Sequence, residues 1–331
     1  QSTSGMIKNV SVSGQGQTGY VSFEVDKNKI QMGNAIIAVK SGGTIVWSWH
    51  IWITGKDVAD VQSGTFMREP IGFIPSSWKR TTYSENREIR ITFKQPRSGK
   101  TSSIVFTQKP HVEQAQGKAM YFQWGRKDPF TDATGFTSSP FIFNGGISLT
   151  YAAQHPMIMG NYRNFASALA TWSDGKPFWG DMYDWNNDPS AGRTYVNLWD
   201  AEAKTYESDY HHTPAYSGTF VKTVYDPSPA GFHVPRSADF SKLTSDRRRA
   251  ALRMGCLNPE GGPTRQTPVF DMLGHGYYWT SEKVIKLHGG GVWGYYSVHA
   301  YALNDDDLAI QRGAQYYTNP SFGYNVLPIK E

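Results

Sequence analysis

The sequence predicts an α+β fold with twisted antiparallel sheets, few short helices and long loops, after a short N-terminal lead at residues 1–19. Apolar and polar residues alternate with the period of a strand in the first third of the chain and again near its end. Helical patterns are short and few. Between residues 178 and 216, a stretch rich in Trp, Tyr, Asn, Asp, Gly and Pro shows no sustained periodicity, which is typical of a long structured loop.

The composition excludes several functional classes. Hydrophobic residues make up 39% and charged residues 18%, which is not the composition of a disordered chain or a coiled coil. A net charge of +5 is mild for 331 residues and gives no support to nucleic-acid binding. The longest aliphatic run, 35–39, is too short to cross a bilayer. Residues 1–5 have no signal-peptide pattern, so we expect any such leader to have been removed.

The first strands are predicted from alternation and from a glycine turn. Val21, Phe23 and Val25 alternate with polar residues, which predicts a half-buried strand. Segments 35–40 and 44–53 flank a Ser-Gly-Gly sequence and predict a hairpin. Both faces of its second strand carry aromatic residues, so we expect both faces to be covered.

A second hairpin is predicted over 88–94 and 103–107, joined through a Pro- and Gly-containing turn. It has the pattern of a small β insertion. The residues expected to face inward are Ile89, Ile91 and Phe93.

The middle and the end of the chain give weaker patterns. Segments 141–143 and 147–151 flank Asn-Gly-Gly and predict a third hairpin, and 157–172 has a weak helical pattern. Ser237 is a suitable N-cap for a short helix that ends near Leu243. The C-terminal segments predicted as strands are 297–303, 308–312 and 323–329.

The sequence lacks the standard catalytic motifs, so it does not predict an enzyme. Cys256 is the single cysteine, which excludes an intrachain disulfide and a Cys-based zinc site. His211 and His212 are adjacent and follow an acidic residue. Neighbouring side chains usually point apart, so we interpret both as loop histidines rather than metal ligands.

The loop at 172–216 is the candidate binding surface, because it combines aromatic rings with Asp, Asn and Arg side chains that can hydrogen-bond a sugar or peptide. We expect most of its rings to be core and about two of six to be exposed. The six rings belong to Trp172, Phe178, Trp179, Tyr183, Trp185 and Trp199. The predicted ligand-binding residues are Trp172, Trp179, Asp181, Tyr183, Trp185, Asn187, Asp188 and Arg193.

Part of this loop is also a weak candidate for a calcium site. Carboxylate and amide oxygens are the ligands that Ca²⁺ prefers, and four such residues lie within eight positions. They are Asp181, Asp184, Asn187 and Asp188. The EF-hand spacing is missing, however, and Asp and Asn in such loops commonly form backbone turns. We therefore predict no cofactor and keep calcium as the alternative.

Five sequence blocks carry a resemblance to a known family. The blocks are 33–54 (GNAIIAVKSGGTIVWSWHIWIT), 121–130 (YFQWGRKDPF), 224–235 (VYDPSPAGFHVP), 276–282 (GYYWTSE) and 323–330 (GYNVLPIK). In this order they resemble the FISUMP-type domains of Bacteroidetes surface proteins, which occur in fimbrillin-like and pilus-tip-like proteins.

A sixth segment points to a fold. The sequence 229–240 (PAGFHVPRSADF) resembles the strand-to-helix element of formylglycine-generating-enzyme-like domains, which share the C-type-lectin-like fold. The likeness implies a C-type-lectin-like domain over 20–331, with a β insertion at about 76–112. It does not imply the chemistry of those enzymes, because Cys256 is alone and their catalytic cysteines are absent.

The resemblance implies an extracellular, non-catalytic binding module at the cell surface, anchored to the outer membrane in the full-length protein. Such a module is expected to act as an adhesin at a fimbrial tip or on a surface lipoprotein. Its expected partners are host or microbial surface glycans or proteins and other pilus subunits, not nucleic acid or the membrane interior. One alternative is a structural subunit that caps or anchors a pilus. Another is a glycan-active or metal-dependent enzyme on the same fold.

Overall fold

A computed structural model describes the chain over most of its N-terminal third and over shorter stretches beyond it. The described residues are 5–14, 18–55, 61–62, 65–75, 82–83, 86–108, 111–112, 117–130, 141–143, 148–161, 170–171, 177–178, 197–203, 206–208, 218–242, 256–258, 269–271, 277–288, 295–304, 316–318 and 323–331.

The described part consists mainly of short strands, most of them antiparallel, with few helices. It agrees with the predicted α+β class at this level. The strands are β1 (Ile7–Ser13), β2 (Tyr20–Val25), β3 (Gly33–Ser41), β4 (Thr44–Ile53), β5 (Val61–Gln62), β6 (Phe66–Met67), β7 (Ile74–Pro75), β8 (Thr82–Tyr83), β9 (Arg87–Lys94), β10 (Thr101–Gln108), β11 (His111–Val112), β12 (Gly117–Lys118), β13 (Phe141–Phe143), β14 (Met159–Asn161), β15 (Ala170–Thr171), β16 (Pro177–Phe178), β17 (Tyr206–Ser208), β18 (Phe232–His233), β19 (Cys256–Asn258), β20 (Val269–Asp271), β21 (Tyr277–His288), β22 (Tyr295–Asn304), β23 (Tyr316–Thr318) and β24 (Ile329–Lys330). The helices are α1 (Leu149–Gln154) and a 3₁₀ helix (Ser237–Lys242).

Two four-stranded sheets are described, with strand orders β17-β21-β22-β23 and β18-β24-β6-β5. The chain divides into two compact units. The first comprises Gln1–Ile74 and Lys118–Glu331, and the second is Pro75–Gly117. The β insertion expected at 76–112 falls within the second unit.

The hairpin predicted at 35–40 and 44–53 is confirmed as β3 and β4, which pair antiparallel from Gly33 opposite Ile53 to Ser41 opposite Thr44. Its turn glycines have positive φ angles, which explains the Gly-Gly sequence. The expectation that both faces are covered is wrong for Trp49, which is 40% exposed.

The second predicted hairpin is confirmed as β9 and β10, in register from Arg87 opposite Gln108 to Lys94 opposite Thr101. The predicted inward orientation of its apolar residues is wrong, because every residue of both strands is exposed. The alternation correctly predicted that these apolar residues share one face of the ribbon. A two-stranded ribbon by itself has no second layer that could bury that face.

The third predicted hairpin is wrong. Segment 141–143 is β13, which pairs in parallel with β14, and residues 149–154 form helix α1. Ser148 explains the helix because its hydroxyl oxygen accepts the backbone N–H of Tyr151 at 3.1 Å, as an N-cap does. The helix expected over 157–172 is also wrong in its described parts, where β14 and β15 lie.

Near the C-terminus, β22 confirms the strand predicted at 297–303. The segment 308–312 lies outside the described residues. The segment 323–329 is mostly irregular, with isolated bridges at Tyr324 and Asn325 before the short β24. The predicted helix at Ser237 is present as a 3₁₀ helix.

The five blocks that carry the family resemblance meet in the core of the first unit. Phe122 pairs with Tyr324, and Tyr278 pairs with Asn325, through isolated β-bridges. Each block contributes to the main hydrophobic cluster or packs against it. The cluster contains Ile71, Met120, Phe122, Trp124, Ala152, Leu198, Trp199, Val234, Trp279, Tyr324 and Val326, with Trp52 and Tyr225 packed against it.

Three fully buried tryptophans bind this core together through backbone carbonyls. The indole N–H of Trp124 donates to Thr280 O at 3.1 Å, and that of Trp279 donates to Phe122 O at 2.5 Å. The indole N–H of Trp199 donates to Arg126 O at 3.3 Å. Burying a tryptophan removes a large apolar area from water, and its N–H needs a partner there, so each ring both fills the core and joins distant segments.

Candidate binding loop

The predicted binding residues all lie outside the described residues. This holds for the eight candidates between 172 and 193 and for the calcium candidate Asp184. The structure therefore does not test whether these residues lie close together. It does describe the core segments that hold this loop, and these define where the candidate surface is attached.

The loop is attached to the core at Leu198, Trp199 and Asp200. Trp199 is fully buried, and its ring centroid lies 5.4 Å from that of Trp124. Of the six rings considered in the sequence, Trp199 is the one whose side chain is described, and it belongs to the core. The segment 172–216 is thus held by the core near its middle. The prediction of one long loop is wrong in two described parts, where strands β16 and β17 lie, and β17 belongs to a four-stranded sheet.

Asp200 is the polar part of this anchor. Its carboxylate accepts the backbone N–H of Val221 at 3.0 Å and that of Glu202 at 3.1 Å, and it pairs with Arg236 at 2.8 Å. Asp200 also forms a β-bridge with Lys222. Because the carboxylate is buried, these partners offset its desolvation, and together they hold Asp200 and Glu202 beside Val221 and Lys222.

Arg236 extends the anchor to the block 229–240. Besides Asp200, its guanidinium donates to Gly218 O at 2.5 Å and lies 5.4 Å from the centroid of the Phe220 ring. The backbone N–H of Arg236 donates to Asp239 at 2.9 Å. One side chain thus ties the far end of the loop to the start of the 3₁₀ helix.

Lys222 and Asp226 shape the turn in the block 224–235. The Lys222 ammonium donates to the carbonyl oxygens of Ser228 and Pro229, each at 2.7 Å, and burial lowers its pKa. Asp226 accepts the backbone N–H groups of Ser228 and Val234, while burial raises its pKa. Both charged groups therefore hydrogen-bond to backbone atoms of this turn, and their role is structural.

Ser48, Lys127 and Asp128 form a buried polar cluster beside β4. Lys127 Nζ lies 2.8 Å from both carboxylate oxygens of Asp128 and 2.6 Å from Ser48 Oγ. Burial lowers the pKa of Lys127, and the charge of Asp128 opposes that shift. A lysine beside a hydroxyl is an arrangement that can activate a nucleophile. Here each side chain is at most 9% exposed, so the cluster is closed to a substrate.

Arg126 and Glu282 are two further buried charges with structural partners. Arg126 donates to Ile158 O at 2.6 Å and reaches carbonyls at the end of α1, and burial lowers its pKa to about 10. Glu282 accepts the backbone N–H of Ser237 at 2.7 Å and its hydroxyl at 2.9 Å. Burial raises the pKa of Glu282 to about 7, although these hydrogen bonds act in the opposite direction.

Sequence reasoning missed this whole set of buried charges. A buried charge needs a partner, and this rule identifies such residues once their burial is known. The sequence shows neither which charged residues are buried nor which groups lie beside them. Ser48 and Asp128 are 80 positions apart, and Asp200 and Arg236 are 36 apart. At such separations only the fold brings the two groups together.

Comparisons of the chain with protein-family models, with curated proteins and with solved structures found no match. In the part of the chain that the structure describes, no helix is long and apolar enough to cross a membrane. Within the same part, no group of three or more His, Cys, Asp or Glu side chains is arranged to hold a metal ion.

Proposed function

We propose that this protein is a non-catalytic binding module of the cell surface, acting as an adhesin at a fimbrial tip or on a surface lipoprotein. In this proposal it has a C-type-lectin-like fold, and its ligand is a glycan or protein on a host or microbial surface. The loop at 172–216 supplies the contacts.

The observation that carries the proposal is the attachment of this loop to a packed core. Trp199 and Asp200 are buried within the loop sequence and hold it through the indole N–H and the carboxylate. Recognition residues are commonly placed on loops that a packed scaffold positions. The packing of the five resembling blocks into that scaffold supports treating them as folding elements, which leaves recognition to the segments between them.

The test is binding of the purified chain to an array of glycans, mucins and matrix proteins, with calcium and again with a chelator. We expect reproducible binding that is lost in Trp179→Ala or Trp185→Ala. Trp49→Ala is the matched control, because Trp49 is a tryptophan that is exposed and lies on β4, outside the loop. Loss of binding with the chelator would assign calcium to the Asp181–Asp188 segment.

Two results would contradict the proposal. One is the absence of binding to every component of the array by a folded chain. The other is binding that Trp49→Ala abolishes and the two loop variants leave unchanged, since the ligand would then contact β4.

A structural role in a pilus is the second candidate, and β10 favours it. Strand β9 carries Arg87, Glu88, Arg90 and Lys94, whereas β10 carries no charged residue. Charges on an edge strand hinder the addition of a foreign strand, so β10 is the edge suited to accept one. Val105→Pro would remove a ladder donor from this edge. We expect it to abolish surface fibres seen by electron microscopy, and unchanged fibres would exclude this edge.

A further inference from the structure

The ribbon formed by β9 and β10 has an apolar face that ends in a cation. Across the two strands, Ile89 lies opposite Phe106 and Ile91 lies opposite Ile104. Arg87 shares this face, because it lies two positions before Ile89 on the same strand. The apolar side chains of this face, each between 43% and 63% exposed, are Ile89, Ile91, Phe93, Ile104 and Phe106.

The ribbon is strongly cationic. Over residues 86–108 its charged side chains are Arg87, Arg90, Lys94, Arg97 and Lys100, with Glu88 as the single acid. Arg97 and Lys100 lie in the turn between the strands, which is closed by a hydrogen bond from Gln95 N–H to Lys100 O at 2.9 Å. Among the described residues, no salt bridge involves Lys94, Arg97 or Lys100. The apolar face therefore lies between Arg87 at one end and a cationic turn at the other.

The opposite face of the ribbon is polar. It carries Arg90 and Lys94, and between them the hydroxyls of Thr92 and Ser103 are hydrogen-bonded at 2.9 Å. Amphipathic helices that lie in a membrane interface show the same division, with Phe and aliphatic residues on one face and Lys and Arg on the other. Long cationic side chains can reach the lipid phosphates from the polar side of such an element. The residue types of both faces therefore suit a lipid surface.

The ribbon is suited to lie along a bilayer and not to cross it. The apolar segment from Ile89 to Phe93 is about 13 Å long, which is less than half of the roughly 30 Å of hydrocarbon in a bilayer. In the described part of the chain, neither outer edge of the ribbon pairs with another strand. Unpaired backbone N–H and C=O groups are not tolerated in hydrocarbon. The backbone therefore belongs at the level of the headgroups, with the apolar side chains directed toward the acyl chains.

Charge complementarity selects an anionic surface over a second copy of the ribbon. Two ribbons packed face to face would bring two strongly cationic elements together, and like charges repel. An anionic bilayer instead gains about fivefold in affinity for each Lys or Arg that lies near it.

The apolar face distinguishes lipid from other polyanions. A sulfated glycan would attract the same cations, but its polar surface would not remove the exposed Ile and Phe side chains from water. The acyl chains at a bilayer interface do so, and the gain is proportional to the apolar area that they cover. A bilayer with anionic headgroups is thus the partner that satisfies both the charges and the apolar face.

We propose that the β9–β10 ribbon docks on anionic lipid bilayers, with its apolar face in the interface and its cations at the lipid phosphates. The inference goes beyond the proposed adhesin function and does not depend on the ligand of the loop. The variants that test it lie in the ribbon, whereas those that test the adhesin function lie in 172–216, so the failure of one is distinguishable from the failure of the other.

The test is flotation of the full chain with vesicles, followed against lipid concentration. The vesicles contain either phosphatidylcholine alone or an equal mixture of phosphatidylcholine and phosphatidylglycerol. We expect the wild type to bind the anionic mixture at least about 100-fold more tightly than phosphatidylcholine alone, and added salt should weaken this binding.

Two double variants with the same new side chains test the apolar face. Ile91→Gln with Ile104→Gln replaces a cross-strand pair at the centre of the apolar face. Thr92→Gln with Ser103→Gln replaces the neighbouring pair on the polar face and is the matched control. Neither double variant changes the net charge. We expect the first to bind the anionic vesicles at least about 10-fold more weakly, and the control to bind like the wild type.

Two single variants test the charges. Lys100→Gln removes an exposed cation beside the ribbon turn, and Lys40→Gln removes an exposed cation beside the turn of the β3–β4 hairpin. We expect Lys100→Gln to weaken binding to the anionic vesicles about fivefold. Lys40→Gln should leave the affinity unchanged.

Four outcomes would overturn the proposal. A folded wild-type chain that does not float with the anionic vesicles at up to about 1 mM lipid lacks the docking function. Equal losses for Lys40→Gln and Lys100→Gln would mean that net charge alone attracts the chain. Binding to immobilised heparin as well as to vesicles, with neither changed in the Ile91→Gln, Ile104→Gln variant, would assign the cations to a polyanionic sugar. A dimer in sedimentation equilibrium that the same variant dissociates would show that a second copy covers the apolar face.

Discussion

The core of the first unit and the ribbon of the second use similar side chains in opposite ways. In the core, Phe122 and Trp279 are fully buried, and the indole N–H of Trp279 donates to the carbonyl oxygen of Phe122. In the ribbon, Phe93 and Phe106 are more than half exposed. Alternation of apolar residues in the sequence therefore places them on one face, whereas their burial depends on a second layer that alternation does not encode.

Ion pairs between lysine and aspartate also differ between buried and exposed positions. Lys127 and Asp128 are a buried pair with a third partner, Ser48, while Lys242 and Asp239 pair at the surface of the 3₁₀ helix. Removing one member of a buried pair leaves an uncompensated charge, whereas an exposed pair is screened by water. Breaking a Lys–Asp pair is therefore expected to cost more stability at the buried position than at the exposed one.

The first prediction compares one substitution in the two regions. Phe122→Ala removes a fully buried ring from the main cluster and is expected to lower the free energy of unfolding by about 3–5 kcal/mol. Phe93→Ala removes a ring that is 56% exposed and is expected to change it by less than about 0.5 kcal/mol. Urea unfolding, at a concentration where the chain is monomeric, measures both. Equal losses would mean that the ribbon face is buried in the isolated chain.

The second prediction compares two lysines. Lys127→Met leaves Asp128 buried without its cation and is expected to cost about 3–5 kcal/mol of unfolding free energy. Lys242→Met breaks an exposed pair and is expected to cost at most about 1 kcal/mol. Urea unfolding again measures both. A small loss for Lys127→Met would contradict the assignment of this pair as a structural element.

The strands were the most predictable part of this molecule, and the reason is local. The β3–β4 hairpin follows from alternation and from a turn that needs two glycines with positive φ, both of which lie within one stretch of sequence. The sequence does not predict helix α1, because the apolar residues that follow Asn-Gly-Gly alternate as in a strand, although Ser148 is an N-cap. The third hairpin failed for the same reason.

The candidate site was predictable only in part, because its supports are long-range. The aromatic and polar composition of 172–216 is visible in the sequence, and Trp199 is the one of its six rings whose burial the structure describes. The pairing of Asp200 with Arg236 depends on the fold. The residues predicted to touch a ligand lie outside the described residues and stay a prediction.

The third prediction uses Glu282, whose pKa burial raises from 4.5 to about 7. The folded chain then holds the proton more tightly than the unfolded chain, so this group favours folding most below pH 4.5 and progressively less as the pH rises to about 7. The expected loss across this window is on the order of 3 kcal/mol. Glu282→Gln should remove this pH-dependent loss of stability, which urea unfolding at a series of pH values measures. An unchanged slope in that variant would contradict the prediction.

The fourth prediction uses His50, for which the sign is reversed. Burial lowers its pKa from 6.5 to about 4, so the folded chain binds the proton more weakly than the unfolded chain. The contribution of His50 to the free energy of unfolding is complete above pH 6.5. It decreases by on the order of 3 kcal/mol as the pH falls toward about 4. The two groups oppose each other between pH 4.5 and 6.5. In Glu282→Gln, the decrease in the free energy of unfolding that His50 causes at acidic pH should therefore become steeper. His50→Gln should abolish this decrease.

The last prediction compares two glycines with positive φ angles. In Gly125→Ala the new Cβ would lie 2.5 Å from Leu198 Cδ1, so the backbone strain of about 1–2 kcal/mol is increased by a clash inside the core. In Gly99→Ala, at the ribbon turn, nothing lies within 4 Å of the new Cβ, and the strain alone acts. We expect Gly125→Ala to lower global stability in urea. Gly99→Ala should instead speed amide hydrogen exchange within β9 and β10, since a ribbon without a covering layer opens by itself. Global destabilisation by Gly99→Ala equal to that of Gly125→Ala would show that the two regions unfold as one.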